Sequence, residues 1–492
     1  MTVNETSDVV MMDGVTLSHA IKSKRVSCLE VMSAYLDHVG RFNPGVNAII
    51  SMPPYEELLS EARERDVQLG RGEYLGWMHG FPVAVKDNIP VKGLPFTRGS
   101  PLFRDFVAPA DAIVVERMKG AGAIVIGKTN TPEFALGSQT HNPVFGTTLN
   151  PYDPSKTSGG SSGGAAAAVA LRMLPVAVGT DHTGSLRNPG AFNNIFTLRP
   201  AYGRVPVETA DVFNSGMSIP GPLARTVTDL AMLLSVQAGY DPRVPLSIRE
   251  NPAQFAVPLN GDVRGKRIAW GGDLLSRVMP FEAGVLELCR GALSTFEQLG
   301  CVVDEAAPEF PVEQLFANLK VLRAWQLGPM LVDLYNDPTK RTLLSPEAQF
   351  EAETYLGLRA ADVTIAAGVR SAWYQAVRRF FGTYDHFVLP SAQVFPFDAR
   401  TPYPTEIAGR TTTDTYYRWM EAMVPVTMAG CPAINVPAGF NDAGLPMGIQ
   451  IMATNHAERA CLEIAYAYDL ATRWVERRPP PKLTSVEPAV VE

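Results

Sequence analysis

The N-terminal part of the chain carries a helical pattern of apolar positions. Leu29, Met32 and Leu36 recur at the spacing of one helix face. Ser27 and Glu30 lie three residues apart at the start of this pattern, which is the signature of a capping box. The pattern therefore predicts a helix that begins directly after Ser27.

Beyond this helix, short apolar runs alternate with helical segments. Strands are predicted over 81–85, 123–126, 175–178, 387–390, 433–437 and 447–452. Helices are predicted over 55–69, 112–119, 162–171 and 456–474. Short strands that alternate with helices indicate an α/β fold built in layers.

We expect a single domain over 1–492. Within it, the stretch 262–384 is more irregular and largely helical, which predicts a helical cap or insertion over the core. The length alone would allow up to about three ordinary domains. However, the sequence contains no internal repeat or heptad array, and its one low-complexity tract is a short Gly/Ser segment.

Composition places the chain among globular proteins with a large core, since 46% of the residues are hydrophobic and 19% are charged. The net charge of −7 argues against nucleic acid as a general partner, because a polyanion is bound through a basic face. The longest apolar stretch, over 164–179, contains Arg172 and is too short to span a bilayer. The N-terminus lacks the pattern of a secretory signal. We therefore expect no nucleic-acid partner and no membrane partner.

The five cysteines are widely scattered and odd in number: Cys28, Cys289, Cys301, Cys431 and Cys461. No pair has the spacing of a zinc site, and an odd, scattered set does not suggest a disulfide framework. This usage predicts a reduced, cytoplasmic protein. The sequence shows no cluster of metal ligands, and we expect neither a metal nor a cofactor.

The segment 157–164 has the sequence TSGGSSGG. A flexible linker is one interpretation, but an Ala-rich helical pattern follows directly. A phosphate-binding loop would end in Gly-Lys-Ser/Thr, whereas Ala165 follows the glycines here. The third interpretation is a tight turn that presents a serine at the start of a helix, because glycines permit unusual dihedral angles and the close approach of a substrate.

Two further segments carry candidate chemistry. The stretch 179–189, GTDHTGSLRNP, directly follows a predicted strand, and a Gly-Ser turn there can aim several N–H groups at one point, as an oxyanion hole does. The stretch 80–88, GFPVAVKDN, ends an apolar run with Lys86, and burial of its ammonium would be costly. Taken alone, each is more often an ordinary strand-end turn or a surface lysine.

Together the three segments resemble the amidase signature family. That family includes fatty-acid amide hydrolases, aryl acylamidases, peptide amidases and the glutaminase subunit of the tRNA-dependent amidotransferases. The segments occur in the family's order and at its separations. The resemblance covers most of the chain and extends to GKTNTPEF at 127–134, TTLNP at 147–151, LRPAYGRV at 198–205, GPLAR at 221–225, GCPA at 430–433 and GLPMGIQ at 444–450.

The resemblance implies a three-layer α/β/α sandwich around a mixed sheet, and a Ser–Ser–Lys triad. Ser185 matches the nucleophile and Lys86 matches the base. Ser161 matches the proton relay, which in this family follows a cis peptide bond. The family's oxyanion hole is made by backbone N–H groups, here those of His182, Thr183, Gly184 and Ser185.

Such a triad needs no histidine if its lysine is neutral. A serine hydroxyl is a poor nucleophile until a base takes its proton. The free pKa of lysine is about 10.4, and a useful base has a pKa of ~7–8. Burial beside an apolar strand disfavours the ammonium, and the required shift corresponds to about 4 kcal/mol.

One position departs from the family pattern, because Thr183 replaces the first glycine of Gly-Gly-Ser. Threonine keeps its backbone N–H, but its β-branched side chain narrows the site and bears on specificity. His182 is a candidate pocket group, although the family accepts many residues there. Asp181 and Arg187 could contact the substrate, but we expect them to pin the turn through hydrogen bonds and charge pairing.

The substrate pocket is predicted from motif positions and the residues that flank them, namely Ala135, Gly137, Gly160, Phe213 and Met217. Aromatic and methionine side chains are also common core residues. The flanking side chains are apolar or small, and the sequence places no cluster of Arg or Lys beside the motifs to hold a carboxylate. The predicted substrate is therefore a neutral, fairly apolar amide or a carbamate, since the family also includes bacterial urethanases.

Two alternatives remain open. The chain could be a glutaminase-type subunit of an amidotransferase complex, which would need a partner chain and charged groups to clamp an amino acid. It could also be a non-catalytic binding protein on the same fold, although the intact Lys86, Ser161 and Ser185 argue against this. The favoured interpretation is a stand-alone amide hydrolase, monomeric or homodimeric, that acts on a small molecule.

Overall fold

The computed structural model describes residues 9–213 and 217–484. The described residues contain β-strands, most of which form one large central sheet. In chain order they are β1 (Ile49–Ile50), β2 (Pro82–Lys86), β3 (Ile124–Thr129), β4 (His141–Asn142), β5 (Gly146–Thr147), β6 (Val176–Asp181), β7 (Phe196–Arg199), β8 (Ile219–Ala224), β9 (Arg267–Trp270), β10 (Val302–Glu305), β11 (His386–Pro390), β12 (Glu406–Ile407), β13 (Arg410–Thr411), β14 (Ala433–Phe440) and β15 (Pro446–Met452).

Most of these strands form one mixed sheet, in the order β1-β3-β2-β6-β8-β7-β14-β15-β11-β9-β10. β2 runs parallel to β3 and β6, and β9 runs parallel to β10 and β11. The other neighbours in the sheet are antiparallel. The pairs β4–β5 and β12–β13 form two separate small sheets.

Helices pack against this sheet, as those of 285–298 and 458–472 do on β14. The longer helices are Gly14–Lys22, Cys28–Phe42, Tyr55–Gly70, Ile113–Gly120, Gly163–Ala170, Arg187–Phe192, Val227–Gln237, Val285–Gln298, Glu313–Asn336, Pro346–Leu356, Ala360–Phe380, Val424–Ala429 and Glu458–Thr472. Four-residue helices lie at Gly272–Leu275, Pro338–Arg341, Trp474–Arg477 and Pro481–Thr484. The mixed sheet with helices packed on it confirms the predicted α/β class.

The predicted capping box at the start of the chain is confirmed. The Glu30 N–H donates to Ser27 Oγ at 3.1 Å, and the Ser27 N–H donates to the Glu30 carboxylate at 2.8 Å. These bonds satisfy two N–H groups at the helix end that have no partner within the helix. The helix Cys28–Phe42 therefore begins where the sequence predicts it.

The strands that carry the catalytic candidates lie in the buried middle of the sheet. Every residue of β2, β3 and β6 is buried, as expected for parallel strands covered on both faces. Val85 pairs with Val178, so β2 and β6 are parallel neighbours. Their carboxyl ends therefore meet at the same edge of the sheet, which brings Lys86 beside the turn that follows Asp181.

The Gly/Ser segment is not a linker, because it leads into the buried helix Gly163–Ala170. All eight residues of this helix are buried. A Cβ atom on Gly164 would lie 2.5 Å from the backbone nitrogen of Asn130. Close packing against β3 therefore requires the small residues of this helix.

The stretch 262–384 differs from a purely helical insertion. Its first part contributes β9 and β10, which extend the sheet at one edge. The three helices Glu313–Asn336, Pro346–Leu356 and Ala360–Phe380 follow and pack on one another. Most of the helical residues of this stretch therefore lie in 313–380, and the role of 262–384 as a cap stays a prediction.

All five cysteines are buried thiols that form no disulfide. Among the helices of the described residues, none has both the length and the apolar composition needed to cross a membrane.

Candidate active site

Lys86 ends β2 and is completely buried. Its Nζ atom lies 2.7 Å from Ser161 Oγ, 3.0 Å from Ser162 Oγ and 2.9 Å from Thr180 Oγ1. Three hydroxyl groups thus surround the amine, and no carboxylate contacts it among the described residues. The predicted base and relay are therefore brought into direct contact.

Burial lowers the pKa of the Lys86 amine well below its usual value. Asp181 opposes this effect through its negative charge. Burial is the larger of the two effects, and the Asp181 carboxylate pairs instead with Arg187 and Arg199 at 3.0 Å each. The environment therefore favours a neutral Lys86 amine, which is the form that accepts a proton.

The hydrogen bonds around Ser162 indicate which hydroxyl can donate to the amine. Ser162 Oγ donates to the Thr180 carbonyl at 3.2 Å, so its single proton is committed. Ser162 therefore accepts a hydrogen bond from Lys86. Ser161 is the closest hydroxyl, and it can donate to the lone pair of a neutral Lys86 amine.

The two serine segments are joined through their backbones. The peptide bond between Gly160 and Ser161 is cis, as the family resemblance implies. The Ser162 N–H donates to the Ser185 carbonyl at 3.2 Å. This bond brings the turn of residues 157–164 against the turn that presents Ser185.

The turn before Ser185 depends on Gly184, which has a φ of +98°. A Cβ atom there would lie 2.4 Å from Met423 Cγ, so both the dihedral angle and the space favour glycine. The Gly184 N–H donates to Asp181 Oδ1 at 2.8 Å. In this structure it is therefore engaged within the turn, unlike the N–H groups of His182, Thr183 and Ser185, for which the described residues provide no acceptor.

Asp181 pins this turn, as the sequence predicts. Besides Gly184, its carboxylate accepts the Leu186 N–H at 3.2 Å and the side chains of Arg187 and Arg199. Burial acts against ionisation, but Arg187 and Arg199 overcome it and hold the pKa of Asp181 below its usual range. These contacts confirm that Asp181 and Arg187 hold the turn in place.

Sequence reasoning missed a buried arginine beside the turn. Arg323 Nη1 lies 3.5 Å from His182 Nδ1, and its Nε donates to Glu351 at 2.6 Å. Its Nη2 donates to the Tyr416 hydroxyl, also at 2.6 Å. Arg323 and Glu351 lie on two different helices of the 313–380 segment, and no local pattern in the sequence joins them to the motifs.

Arg323 is a single basic side chain beside the motifs, where the sequence places no cluster of Arg or Lys. However, Glu351 neutralises its charge, and the Tyr417 ring lies 4.6 Å from the guanidinium. Among the described residues, Ser162, Thr180 and Tyr416 are further neighbours of the site that the sequence did not single out. Of these, Ser162 and Thr180 carried a signal, since they lie within the segments 157–164 and 179–189, whereas Tyr416 lies outside every motif.

A neighbouring buried pair supports the end of β2. Lys128 Nζ lies 3.7 Å from Asp87 Oδ1, and burial lowers the pKa of Lys128 to about 8. Asp87 also accepts the Thr97 hydroxyl at 2.5 Å. The side chain of Asn88 donates to Thr180 Oγ1 at 3.0 Å. These contacts fix the residues that follow Lys86 and connect them to β6.

A cavity of about 230 Å³ opens on the relay side of the site. Gly137, Ser138 and Tyr416 contribute to its wall. A Cβ atom on Gly160 would lie 2.9 Å from the carbonyl carbon of Ser138, so Gly160 lies directly behind this wall. The remaining lining residues are Pro132, Glu133, Leu136, Gln139, His141, Pro143, Ser345, Pro346, Glu347, Pro402 and Tyr403.

A second cavity, of about 450 Å³, is lined by Asn88 and Thr180 together with Phe96, Phe106 and Pro206. It therefore approaches the hydroxyl that Lys86 contacts, from the side of β8.

The other predicted pocket residues differ in how deeply they are buried. Ala135 is half-buried with a φ of +60°, and Met217 is buried. Phe213 is 75% exposed, so its side chain does not share the buried environment of the triad. Within residues 9–213 and 217–484, no three or more side chains that could ligate a metal ion lie together.

Similarity to known proteins assigns the chain to a family. The model of the amidase family matches residues 30–462. The chain belongs to the amidase family. It is 33% identical over 488 residues to a glutamyl-tRNA(Gln) amidotransferase subunit from Thermosynechococcus vestitus, covering 94% of this chain and 98% of the relative. It is 34% identical over 466 residues to an acylamidase from Rhodococcus erythropolis, covering 94% and 96%.

Solved structures agree with this assignment. A bacterial aryl acylamidase of the amidase signature family superposes with a TM-score of 0.89 at 27% identity, covering 96% of this chain and 99% of that chain. A peptide amidase from Stenotrophomonas maltophilia superposes with a TM-score of 0.79 at 27% identity, covering 96% and 98%. Amide hydrolysis is the activity that this family membership assigns.

Proposed function

We propose that the chain is a stand-alone hydrolase of neutral, fairly apolar amides and carbamates, with Ser185 as nucleophile, Ser161 as relay and Lys86 as base. The observation that carries the proposal is the 2.7 Å contact between Lys86 Nζ and Ser161 Oγ in a fully buried setting. Burial of a lysine without an oppositely charged partner costs free energy. A role as general base would account for a lysine at this position.

The proposed reaction begins with a two-step proton transfer. Ser185 Oγ attacks the substrate carbonyl carbon while its proton passes to Ser161 Oγ, and the proton of Ser161 passes to Lys86 Nζ. The same path then returns a proton to the leaving nitrogen as its C–N bond breaks. Water then attacks the acyl-enzyme while its proton passes through Ser161 to Lys86, and the proton returns along the same path to Ser185 Oγ as the C–O bond to the enzyme breaks. This step releases the acid, or from a carbamate the carbonic half-ester, and restores Ser185.

The developing oxyanion would be held by the N–H groups of His182, Thr183 and Ser185. Preorganised donors of this kind act strongly in a site that excludes water. We leave Gly184 out of the set because its N–H already donates to Asp181. Its role in the proposal is to shape the turn.

The lining of the 230 Å³ cavity supports a neutral, apolar substrate. Leu136, four prolines and two tyrosines supply apolar surface there, and the lining carboxyl groups of Glu133 and Glu347 disfavour an anionic substrate. The nearby guanidinium of Arg323 already pairs with Glu351, and a neutralised arginine is a poor clamp for a free carboxylate. A carbamate presents the same planar carbonyl group as an amide and fits the same mechanism.

A glutaminase-type role within an amidotransferase complex is the second candidate function. The similarity to a glutamyl-tRNA(Gln) amidotransferase component over 94% of this chain favours it. That function would require recognition of the charged amino-acid end of glutamine and a partner chain for the released ammonia. The pairing of Arg323 with Glu351 argues for the first candidate.

The test is a comparison of kcat/KM for an anilide, an aryl carbamate and free glutamine, measured on the isolated chain. We expect the anilide and the carbamate to be cleaved and glutamine to be cleaved poorly. A clear preference for glutamine, above all one that depends on an added partner protein, would reverse the choice between the two candidates.

A further inference from the structure

The imidazole ring of His182 is hydrogen-bonded through one nitrogen only. Its Nδ1 lies 2.8 Å from Thr183 Oγ1 and 3.5 Å from Arg323 Nη1. Its Nε2 is buried and has no hydrogen-bond partner among the described residues. The whole residue is only 9% exposed. A buried polar atom without a partner costs free energy, so the arrangement points to a ligand that completes the bond.

The neighbours of His182 determine which ring nitrogen carries the proton. A guanidinium group has only donors, so the nitrogen that faces Arg323 must be an acceptor. The Thr183 hydroxyl, at 2.8 Å, then donates to the single lone pair of that nitrogen, with the guanidinium at the longer 3.5 Å, and the ring proton lies on Nε2. Burial and the charge of Arg323 also lower the pKa of His182 well below its usual value. The ring is therefore neutral, and its N–H lies on the edge away from Nδ1.

This ring lies on the acyl side of the proposed reaction. The leaving nitrogen must face Ser161, which returns its proton, whereas His182 begins the turn that holds the oxyanion. Arg199 donates to the His182 carbonyl at 3.4 Å and to the Met217 carbonyl at 3.0 Å. The backbone of Met217, a predicted pocket residue, therefore lies close to the backbone of His182.

We propose that the Nε2–H group of His182 donates a hydrogen bond to a neutral oxygen on the acyl side of the substrate, namely the alkoxy oxygen of a carbamate. This inference rests on the proposed function and narrows its substrate class. A neutral N–H matches a neutral oxygen. A methylene group in the same place, as in a simple amide, leaves the N–H unpaired, and a site built for a hydrogen bond discriminates against such an analogue.

The proposal also gives a role to Thr183, the residue that departs from the family's glycine. Glycine has no hydroxyl to offer to Nδ1, whereas the Thr183 hydroxyl reaches it. Thr183→Ser retains this hydroxyl, and Thr183→Val retains the shape of the side chain but removes it. These two variants form a matched pair that tests the hydrogen bond separately from the packing.

The experiment uses two isosteric substrates, 4-nitrobutyranilide and ethyl N-(4-nitrophenyl)carbamate. They share the leaving 4-nitroaniline and differ by one methylene group replaced with oxygen. We expect His182→Leu to lower kcat/KM for the carbamate about tenfold more than for the anilide. Thr183→Val should show part of this selective loss, and Thr183→Ser should show little of it. Labelling of Ser185 by a fluorophosphonate confirms that each variant has a folded site.

The results separate the inference from the function on which it rests. If the wild-type chain cleaves neither substrate, the proposed function fails and the inference fails with it. If it cleaves the anilide alone, or if His182→Leu affects both substrates equally, only the inference is overturned.

A spectrum provides a readout that does not depend on turnover. In ¹⁵N-histidine-labelled protein, the signal that disappears in His182→Gln should have the pattern of a neutral ring protonated at Nε2, between pH 6 and 9. A ring protonated at Nδ1, or at both nitrogens, would overturn the inference even if the His182→Leu and Thr183→Val variants do not fold, since this readout needs only a folded His182→Gln protein for the assignment.

Discussion

The amine of Lys86 and the hydroxyl of Ser161 are 2.7 Å apart, and both are buried. They come from different parts of the fold, since Lys86 ends a central strand and Ser161 precedes a helix packed against the sheet. A lysine that has only hydroxyl neighbours gains no ion pair to offset its desolvation. This relationship therefore favours the neutral amine, and the first predictions follow from it.

The relay assignment predicts that Ser161→Ala loses at least about a thousandfold in kcat, close to the loss in Ser185→Ala, because members of a relay act as a unit. Ser162→Ala is the matched control. Ser162 also contacts Lys86, but its proton is committed to the Thr180 carbonyl, so we expect a distinctly smaller loss. Steady-state kinetics with a chromogenic anilide measure all three. Near-normal activity in Ser161→Ala would remove Ser161 from the mechanism.

The nucleophile assignment predicts a single covalent label on the peptide that contains Ser185. A fluorophosphonate should react there at a rate that rises with pH as Lys86 loses its proton, and then reaches a plateau. Because burial lowers the pKa of Lys86, the plateau should begin below the free lysine value of about 10.4. Peptide mass spectrometry locates the label. A label confined to Ser161 would exchange the roles of the two serines.

The lowered pKa of Lys86 predicts that the free energy of unfolding depends on pH. Its pKa is lower in the folded state than in the unfolded chain, where it is about 10.4. Between these two values the unfolded chain binds more protons, so the free energy of unfolding rises with pH, by at most about 1.4 kcal/mol per unit from this group. Lys86→Met should abolish turnover and remove this contribution.

Denaturant unfolding of the wild type and of Lys86→Met, at pH 7 and at pH 9, measures this effect. The gain in stability from pH 7 to pH 9 should be smaller in the variant. An identical gain in both proteins would mean that Lys86 keeps an ordinary pKa in the fold.

The sequence predicts the elements that carry strong local patterns, and it predicts the triad through its motifs. The helix capped by Ser27 and the strands that end near Lys86 and Asp181 lie close to their predicted positions. β8 was missed, because Pro220 and Pro222 argue against a strand inside a sheet. In the fold they pair with Thr180 and Val178 on the antiparallel neighbour β6.

The predicted site was incomplete for a different reason. Arg323 and Glu351 are separated from the motifs by long stretches of chain, and they lie in helices whose polar residues have no special spacing. Arg323 reaches His182, and Glu351 reaches Arg323, only when these helices pack on each other beside the Ser185 turn. No local pattern records such a contact, so the polar wall of the site becomes visible only in the folded structure.

The pinning of the turn by Asp181 predicts a large loss of stability in Asp181→Asn. The substitution preserves the shape of the side chain but leaves Arg187 and Arg199 buried without their carboxylate. Breaking a buried charge pair costs about 3–5 kcal/mol. Denaturant unfolding should show this loss. Asp262→Asn, which breaks an exposed pair with Arg264, should leave the unfolding midpoint unchanged, and equal effects of the two substitutions would contradict the role of Asp181.

The last prediction concerns the backbone that presents the nucleophile. Gly184→Ala adds a Cβ atom 2.4 Å from Met423 Cγ, at a φ of +98°. Either the turn or the buried Met423 must move, and a displacement of about 1 Å at the reacting atoms can cost about a hundredfold in rate. We therefore expect kcat to fall by about that factor while the protein still folds.

Gly93→Ala is the control that isolates the cause. Gly93 has a similar positive φ of +82°, but a Cβ atom there would meet nothing within 4 Å. It therefore carries the dihedral penalty, which is about 1 kcal/mol, without the steric clash and at an exposed position. Kinetics and thermal unfolding of both variants separate the two effects. If Gly184→Ala lowers stability no more than Gly93→Ala and leaves kcat intact, the geometry of the Ser185 turn does not limit the reaction.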